Sequence, residues 1–321
     1  MPSFFAWAFR FYIKWILRSK TVMSNATAMR KALHSLYIRP QSFSPPTNLG
    51  NNIFIDRVDL NAWPLYRVSA VGRGSSSNQR NDQKRDAMVY IHGGSFFHDI
   101  ASLHWQFIAQ VACETNLDVL VPIYPLLPRP VSSAAQINKG LIEICRKSEQ
   151  PIVCIGGDSA GGMLSIAMAQ QLQKTAPELA ARLRCLVLIS PVLDCSLSHP
   201  EVVRLEKDDP WLGIEGLEVL MPMLADGLPM NDPIVSPLYG DTDNLPPIIM
   251  TSGTSDMLCA DARRLSGKFQ GKGTEEPVPG SFHNEKLTFI EKADMIHVYA
   301  LLRNPEGAEA RELIMHFINK Y

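Results

Sequence analysis

Short, continuous apolar runs alternate with longer stretches of helical spacing through most of the chain. The runs at 87–91, 117–123, 151–155, 184–190 and 246–251 read as buried strands. Helical patterns fall between them, near 103–114, 132–147, 160–174 and 258–269. Strands and helices in that rhythm predict an α/β fold with a mostly parallel sheet covered on both faces. Residues 53–71 add two short strand-like runs, Lys286-Leu287-Thr288-Phe289-Ile290 another, and 308–318 an amphipathic terminal helix. The segment 197–237 breaks the rhythm. It is helical and apolar in places, as in Ile214-Glu215-Gly216-Leu217-Glu218-Val219-Leu220-Met221, and it sits between two strands. An insertion there lies above the carboxyl ends of the strands, where ligands bind, and reads as part of a lid. Residues 40–50 are rich in Pro, Ser and Asn and read as a linker, and 72–85 as a solvated loop.

Composition adds bounds. The 321 residues suffice for one large domain with an accessory part. A hydrophobic share of 46% with 20% charged is ordinary for a globular protein. A formal net charge of −1 gives no ground for nucleic-acid binding. Cys113, Cys145, Cys154, Cys185, Cys195 and Cys259 form no C-x-x-C pair. They read as thiols of a reduced, cytoplasmic compartment, not as a disulfide frame or zinc site.

Charge is unevenly spread. No Asp or Glu precedes Asp56, while Arg10, Lys14, Arg18, Lys20, Arg30, Lys31 and Arg39 do. Residues 4–18 are strongly aromatic, with Arg10, Lys14 and Arg18 on one helical stripe. Such a helix suits peripheral contact with a membrane interface, or it covers the protein's own site; the two are compatible. Its charges make it a poor transmembrane span. A secretory signal is also disfavoured, although Ala26-Thr27-Ala28 superficially resembles a cleavage site.

Two motifs carry chemistry. Gly157-Asp158-Ser159-Ala160-Gly161-Gly162 follows the strand Ile152-Val153-Cys154-Ile155 and opens a helix. That is the strand–turn–helix context of a nucleophile elbow. Residues without a Cβ are needed two places before and after the serine, and Gly157 and Gly161 supply them. Ser159 then stands at a helix N-terminus, whose free N–H groups favour a forming anion. The second motif, His92-Gly93-Gly94-Ser95-Phe96, follows the strand at 87–91. Adjacent glycines let backbone N–H groups approach a carbonyl oxygen. Gly93, Gly94 and Ala160 are the expected oxyanion donors, each worth on the order of 10²–10³ in rate.

A serine nucleophile needs a base, and the base an orienting carboxylate. Asp256 follows the run Ile248-Ile249-Met250 just past a strand end and is favoured over Asp261, which caps or lies on the next helix. Of the late histidines, His297 sits in the loop after the last strand and is favoured as the base. His283 lies in a turn before that strand, and His316 late in the terminal helix. His92 is expected to fix its loop by hydrogen bonding. His34, His98, His104 and His199 are expected to be solvated or locally paired. Phe96, Phe97, Trp105, Trp211 and Met223 are candidates for the substrate pocket, with core packing as the default reading for any one of them.

These residues resemble the bacterial hormone-sensitive-lipase-like branch of the α/β-hydrolases. His92-Gly93-Gly94-Ser95-Phe96 is similar to its His-Gly-Gly-Gly motif, and Gly157-Asp158-Ser159-Ala160-Gly161-Gly162 matches its nucleophile motif. Tyr124-Pro125-Leu126-Leu127-Pro128, Ser190-Pro191-Val192-Leu193-Asp194, Asp232-Pro233-Ile234-Val235-Ser236-Pro237-Leu238 and Met295-Ile296-His297-Val298-Tyr299 resemble further blocks. The likeness runs from about residue 55 to the end. It implies an α/β-hydrolase fold and an esterase or lipase for short to medium acyl chains. It also implies a cap built from N-terminal helices and the insertion after Asp194. On that basis residues 1–50 form an arm and cap helices, and 51–321 the catalytic domain, with a cap insertion at about 197–237. Ser95 stands where the family has a third glycine, and Arg129 where it has Glu. Asp256 and His297 are 41 residues apart, more than is usual there.

The reaction expected is ester hydrolysis through an acyl-enzyme, with no metal or cofactor and a small-molecule or lipid ester as partner. An amide or formamide hydrolase using the same residues, or a catalytically inactive ligand-binding homologue, is the alternative. The sequence leaves a homodimer open.

Overall fold

Nine strands form one sheet in this computed structural model, which describes residues 2–17, 19–60, 63–71 and 85–321. They are β1 (Ile53–Leu60), β2 (Trp63–Ala70), β3 (Ala87–Ile91), β4 (Asp118–Pro122), β5 (Ile152–Asp158), β6 (Cys185–Ile189), β7 (Ile248–Gly253), β8 (Phe282–His283) and β9 (Leu287–Lys292). Their order is β1-β2-β4-β3-β5-β6-β7-β9-β8. The six strands from β4 across to β9 run parallel, while β1, β2 and β8 add antiparallel edges. The chain passes from β3 to β4 on one side and returns to β5 on the other. β3 and β5 are therefore direct neighbours, with Ile91 opposite Gly157. The loops leaving their carboxyl ends meet at this switch point, where open α/β sheets bind ligands.

The helices are α1 (Phe4–Phe11), α2 (Ser19–Met23), α3 (Ala26–Ile38), α4 (Ser102–Glu114), α5 (Ala134–Lys147), α6 (Ala160–Thr175), α7 (Pro177–Ala180), α8 (Pro200–Glu206), α9 (Ile214–Ala225), α10 (Cys259–Phe269) and α11 (Pro305–Lys320). A π-helical turn, Tyr12–Leu17, follows α1. Alternating side chains divide the core by the sheet. Val89 and Ile91 pack with α5, α6 and α10, whereas Met88 and Tyr90 pack with α4 and α11. Each central strand expected from the apolar runs is present, with ends that differ by up to three residues. His283, expected in a turn, lies in the two-residue β8. The expected loop at 72–85 lies outside the described residues except for Arg85.

The helices α8 and α9 lie between β6 and β7. The N-terminal helices pack on them. A side chain on Gly216 would overlap the backbone of Met23, so its absence lets α9 touch the end of α2. Met29 and Leu33 of α3 join Leu217 and Leu220 of α9 in one apolar cluster. The arm ahead of them buries Ala6 and Ile13 against the body.

Candidate active site

Ser159 lies between β5 and α6 with φ +52° and ψ −117°. This left-handed conformation is strained for a residue with a side chain. The neighbouring glycines make room for it. A Cβ on Gly161 would collide with the Ile91 carbonyl, and one on Gly157 with the same carbonyl and with the backbone of Gly161. The serine's own N–H donates to Ile189 O at 2.8 Å, which fixes the turn to β6.

His297 Nε2 lies 2.9 Å from Ser159 Oγ, and His297 Nδ1 lies 2.9 Å from Asp256 Oδ2. All three residues are buried, Asp256 completely. Asp256 Oδ1 accepts the Leu258 N–H at 2.9 Å, which sets the carboxylate's rotation. The His297 loop is bound to the neighbouring strand ends: Val298 N–H donates to Ser190 Oγ and Ser255 N–H to Met295 O. Burial works to lower the imidazole's pKa, but Asp256, with Asp209 and Asp158 behind it, outweighs burial and the net shift is upward. Asp261 instead pairs with Arg264 on α10, His283 bonds Thr288, and His316 lies on α11.

The loop after β3 faces the serine's turn. His92 is fully buried, stacks on Tyr124 at 4.6 Å, and donates from Nδ1 to Gly93 O at 2.6 Å. Burial first, then His104, lowers its pKa to about 4, so the ring is neutral. Gly94 has φ +117°, and a Cβ there would sit 2.6 Å from His98 O. One expectation fails here. The Gly93 N–H donates to Asp158 Oδ1 at 3.0 Å and is not free for an oxyanion. Asp158 also accepts from Tyr90 Oη at 2.7 Å and meets His104 Nε2 at 3.2 Å. His104 is thus buried and paired, not solvated. By contrast, the N–H groups of Gly94, Ser95 and Ala160 donate to no acceptor among the described residues.

A model of the α/β-hydrolase fold family matches residues 88–299. The chain belongs to that family. It is 32% identical to an esterase of Acinetobacter venetianus over 56% of this chain and 60% of that one. It is also 32% identical to a triacylglycerol lipase of Mycobacterium tuberculosis over 54% of this chain and 36% of that one. The match therefore spans less than two thirds of either relative's length. Among solved structures, a hormone-sensitive lipase from a metagenome library superposes with a TM-score of 0.74 at 20% identity, over 100% of this chain and 99% of that one. The motif resemblance agrees with these likenesses.

In this α/β-hydrolase, Ser159 opens on a narrow, partly open cavity lined by Ser95, Phe96, Val192, Leu197, Leu212, Leu217, Met221 and Leu258. Its free volume is about 10 Å³, the room of one water molecule. Trp211 stands edge-on to the His297 ring at 6.0 Å. The other pocket expectations need correction. Trp105 lies on the opposite face of the sheet, edge-on to Tyr66 at 5.4 Å, because α4 covers that face. Phe97 turns away into a cleft with Leu36, Tyr37 and Gln41. Met223 is 38% exposed and lines an open groove of about 540 Å³ with Arg30, His34 and Tyr37, away from the serine. Two residues along a helix turn about 200°, so Met221 faces the cavity and Met223 does not.

The patterns above also missed Asp209. This carboxylate is 1% exposed. Its Oδ1 accepts N–H groups of Trp211 and Leu212 at 2.7 and 2.9 Å, and its Oδ2 that of Met257 at 2.9 Å. One side chain therefore joins the segment over the cavity to the loop that carries Asp256. Burial, then Asp256, raises its pKa. No local signal in the sequence marks it, since its partner Met257 is 48 residues away.

Proposed function

We propose that this chain is a serine carboxylesterase that cleaves esters of short to medium acyl chains through an acyl-enzyme. The observation that carries the reading is the unbroken relay from Asp256 through His297 to Ser159, with both links at 2.9 Å. His297 Nε2 takes the hydroxyl proton as Ser159 Oγ attacks the ester carbonyl carbon. Asp256 holds the proton on Nδ1 and stabilises the imidazolium, which the upward shift of His297 favours. The carbonyl oxygen becomes an anion. The unengaged N–H groups of Gly94, Ser95 and Ala160 are placed to receive it, in a buried site where such bonds count for more than in water. His297 returns its proton to the departing alcohol. Water then attacks the acyl-enzyme by the same base, releasing the acid and restoring Ser159.

The apolar side chains beside Ser159, among them Phe96, Val192, Leu197, Leu212, Leu217 and Met221, suit the acyl part of an ester. Residues 197–237, with the N-terminal helices, act as the cap of the site. On this reading the chain works in the cytoplasm, in keeping with its six unpaired cysteines. Residues 4–18 make its peripheral membrane contact; no helix among the described residues is long and apolar enough to cross a membrane.

Ser159→Ala is expected to lower turnover of p-nitrophenyl acetate by on the order of 10⁴ or more. Turnover retained in the variant refutes the assignment. A fluorophosphonate that labels the wild type and not the variant rejects the inactive-homologue reading, and acetyl amide against acetyl ester separates amidase from esterase.

A further inference from the structure

The N-terminal arm presents an apolar surface that ester hydrolysis does not use. Phe4, Trp7, Phe11 and Trp15 stand in line along α1 and the π turn, with successive ring centroids 6.1, 5.9 and 6.5 Å apart. Their exposures run from 48% to 73%, and Phe5 and Ile16 beside them are exposed to 64% and 62%. This is no frayed end. Glu306 accepts the Ser3 N–H at 2.5 Å and its hydroxyl at 2.8 Å. Arg10 donates to Ser255 Oγ at 3.0 Å and to Asp208 O at 3.1 Å. Lys20 donates to the backbone carbonyls of Glu206 and Asp209. The inner face, with Ala6 and Ile13, is thus pinned at three places while the aromatic row points outward.

We propose that this row is a docking face for an anionic lipid surface. Charge selects that occupant over a second copy of the chain. Lys14 is exposed within the aromatic face and lies over the Trp15 ring at 5.6 Å, and Arg30, Lys31 and Arg39 are exposed on and just after α3. No carboxylate occurs before Asp56. Two copies meeting through their arms would oppose like charges with nothing on either arm to neutralise them. A bilayer with anionic headgroups offers acceptors for the cations, and indole rings settle at the headgroup level. The pins give the docking a direction. Ser255 adjoins Asp256, and the Asp208–Asp209 backbone leads into Trp211 beside His297. Docking therefore bears, through these bonds, on the loops that carry Asp256 and Trp211. The docking rests on the membrane contact proposed above and names its lipid; only the bearing on catalysis rests on the esterase reading.

The test is cosedimentation of the full chain with phosphatidylcholine vesicles and with vesicles carrying added phosphatidylglycerol. The wild type is expected to partition onto the anionic vesicles, and the Trp7 and Trp15 emission to shift to the blue. A Trp7→Ser/Phe11→Ser/Trp15→Ser variant is expected to lose at least about tenfold in partitioning. Its Tm reports whether it still folds. Lys14→Glu alone is expected to lose about tenfold on anionic vesicles only, and it decides the matter if the triple variant is unfolded. Ser159→Ala should dock like the wild type, so a failed reaction assignment leaves this result readable. Wild type that stays in solution, equal binding to both vesicles, or full binding by a folded triple variant overturns the proposal. So does a dimer that the triple variant abolishes, with no vesicle binding.

Discussion

The strand-end loops and the N-terminal arm are held in place by opposite means. At the strand ends the backbone does the positioning. Ser95, Phe96, Ser159, Ser190 and Val298 all have left-handed φ between 45° and 63°. Met295 backbone atoms occupy the space a side chain on Gly253 would need. In the arm, no residue with a side chain has a positive φ among the described positions 4–38. Helix carries it, α-helical but for the π turn at Tyr12–Leu17, and a few long-range polar bonds attach it. Strain concentrated at the strand ends fixes chemical groups to within tenths of an ångström, which a proton relay needs. A helix pinned by Arg10, Lys20 and Ser3 needs only to present a face. Substitutions that disturb the first arrangement should therefore cost far more activity than those in the helices above the sheet.

The sharpest case sets two acids against each other. Asp256→Asn puts an amide opposite His297 Nδ1 and favours the wrong tautomer. A loss of about 10⁴ in kcat is expected in steady-state assays with p-nitrophenyl acetate. Asp209 will not rescue it, because its oxygens are engaged by three backbone N–H groups. A residual rate within tenfold of wild type would show that the two carboxylates exchange roles.

Asp209→Asn should fall between the two regions. An amide there keeps one acceptor and turns N–H donors toward the Met257 N–H or toward Trp211 and Leu212. A buried donor left unpaired costs about 1–3 kcal/mol, so kcat/KM should drop about tenfold and Tm should fall. Asp209 also helps hold His297 upward of its ordinary value. Its neutralisation should then move the acid limb of the pH–rate profile to lower pH, because less negative charge remains to favour the imidazolium. A lowered Tm with an unmoved limb would limit Asp209 to a structural part.

What was legible follows the same division. The parallel core was readable because doubly buried strands are continuous apolar runs, and Ser159, Asp256 and His297 stand at their ends. Gly93 was misjudged as a donor because the Asp158 carboxylate that takes its N–H is 65 residues away and carries no local mark. Trp105 stayed open between pocket and core because the apolar spacing of α4 does not say which face of the sheet it covers. The two strand residues of β8 are too few to show a period. Tyr12–Leu17 reads as helix, and the widening to a π turn has no signature in its composition. Asp209 looks like one more acid before a proline until the fold brings Met257 to it.

The smallest effects lie within α9. Met221 and Met223 share chemistry and neighbourhood in sequence, but α9 turns one toward Ser159 and the other outward. Met221→Ala removes side-chain volume from the wall of a cavity of about 10 Å³. It should raise the ratio of butyryl to acetyl kcat/KM values several-fold, since each buried methylene is worth about 0.8 kcal/mol. Met223→Ala should leave that ratio within twofold. The acyl-length series on both variants reads the difference directly. Equal shifts would mean that α9 rearranges as a body when substrate enters, and that the cavity beside Ser159 is not the pocket that measures the acyl chain.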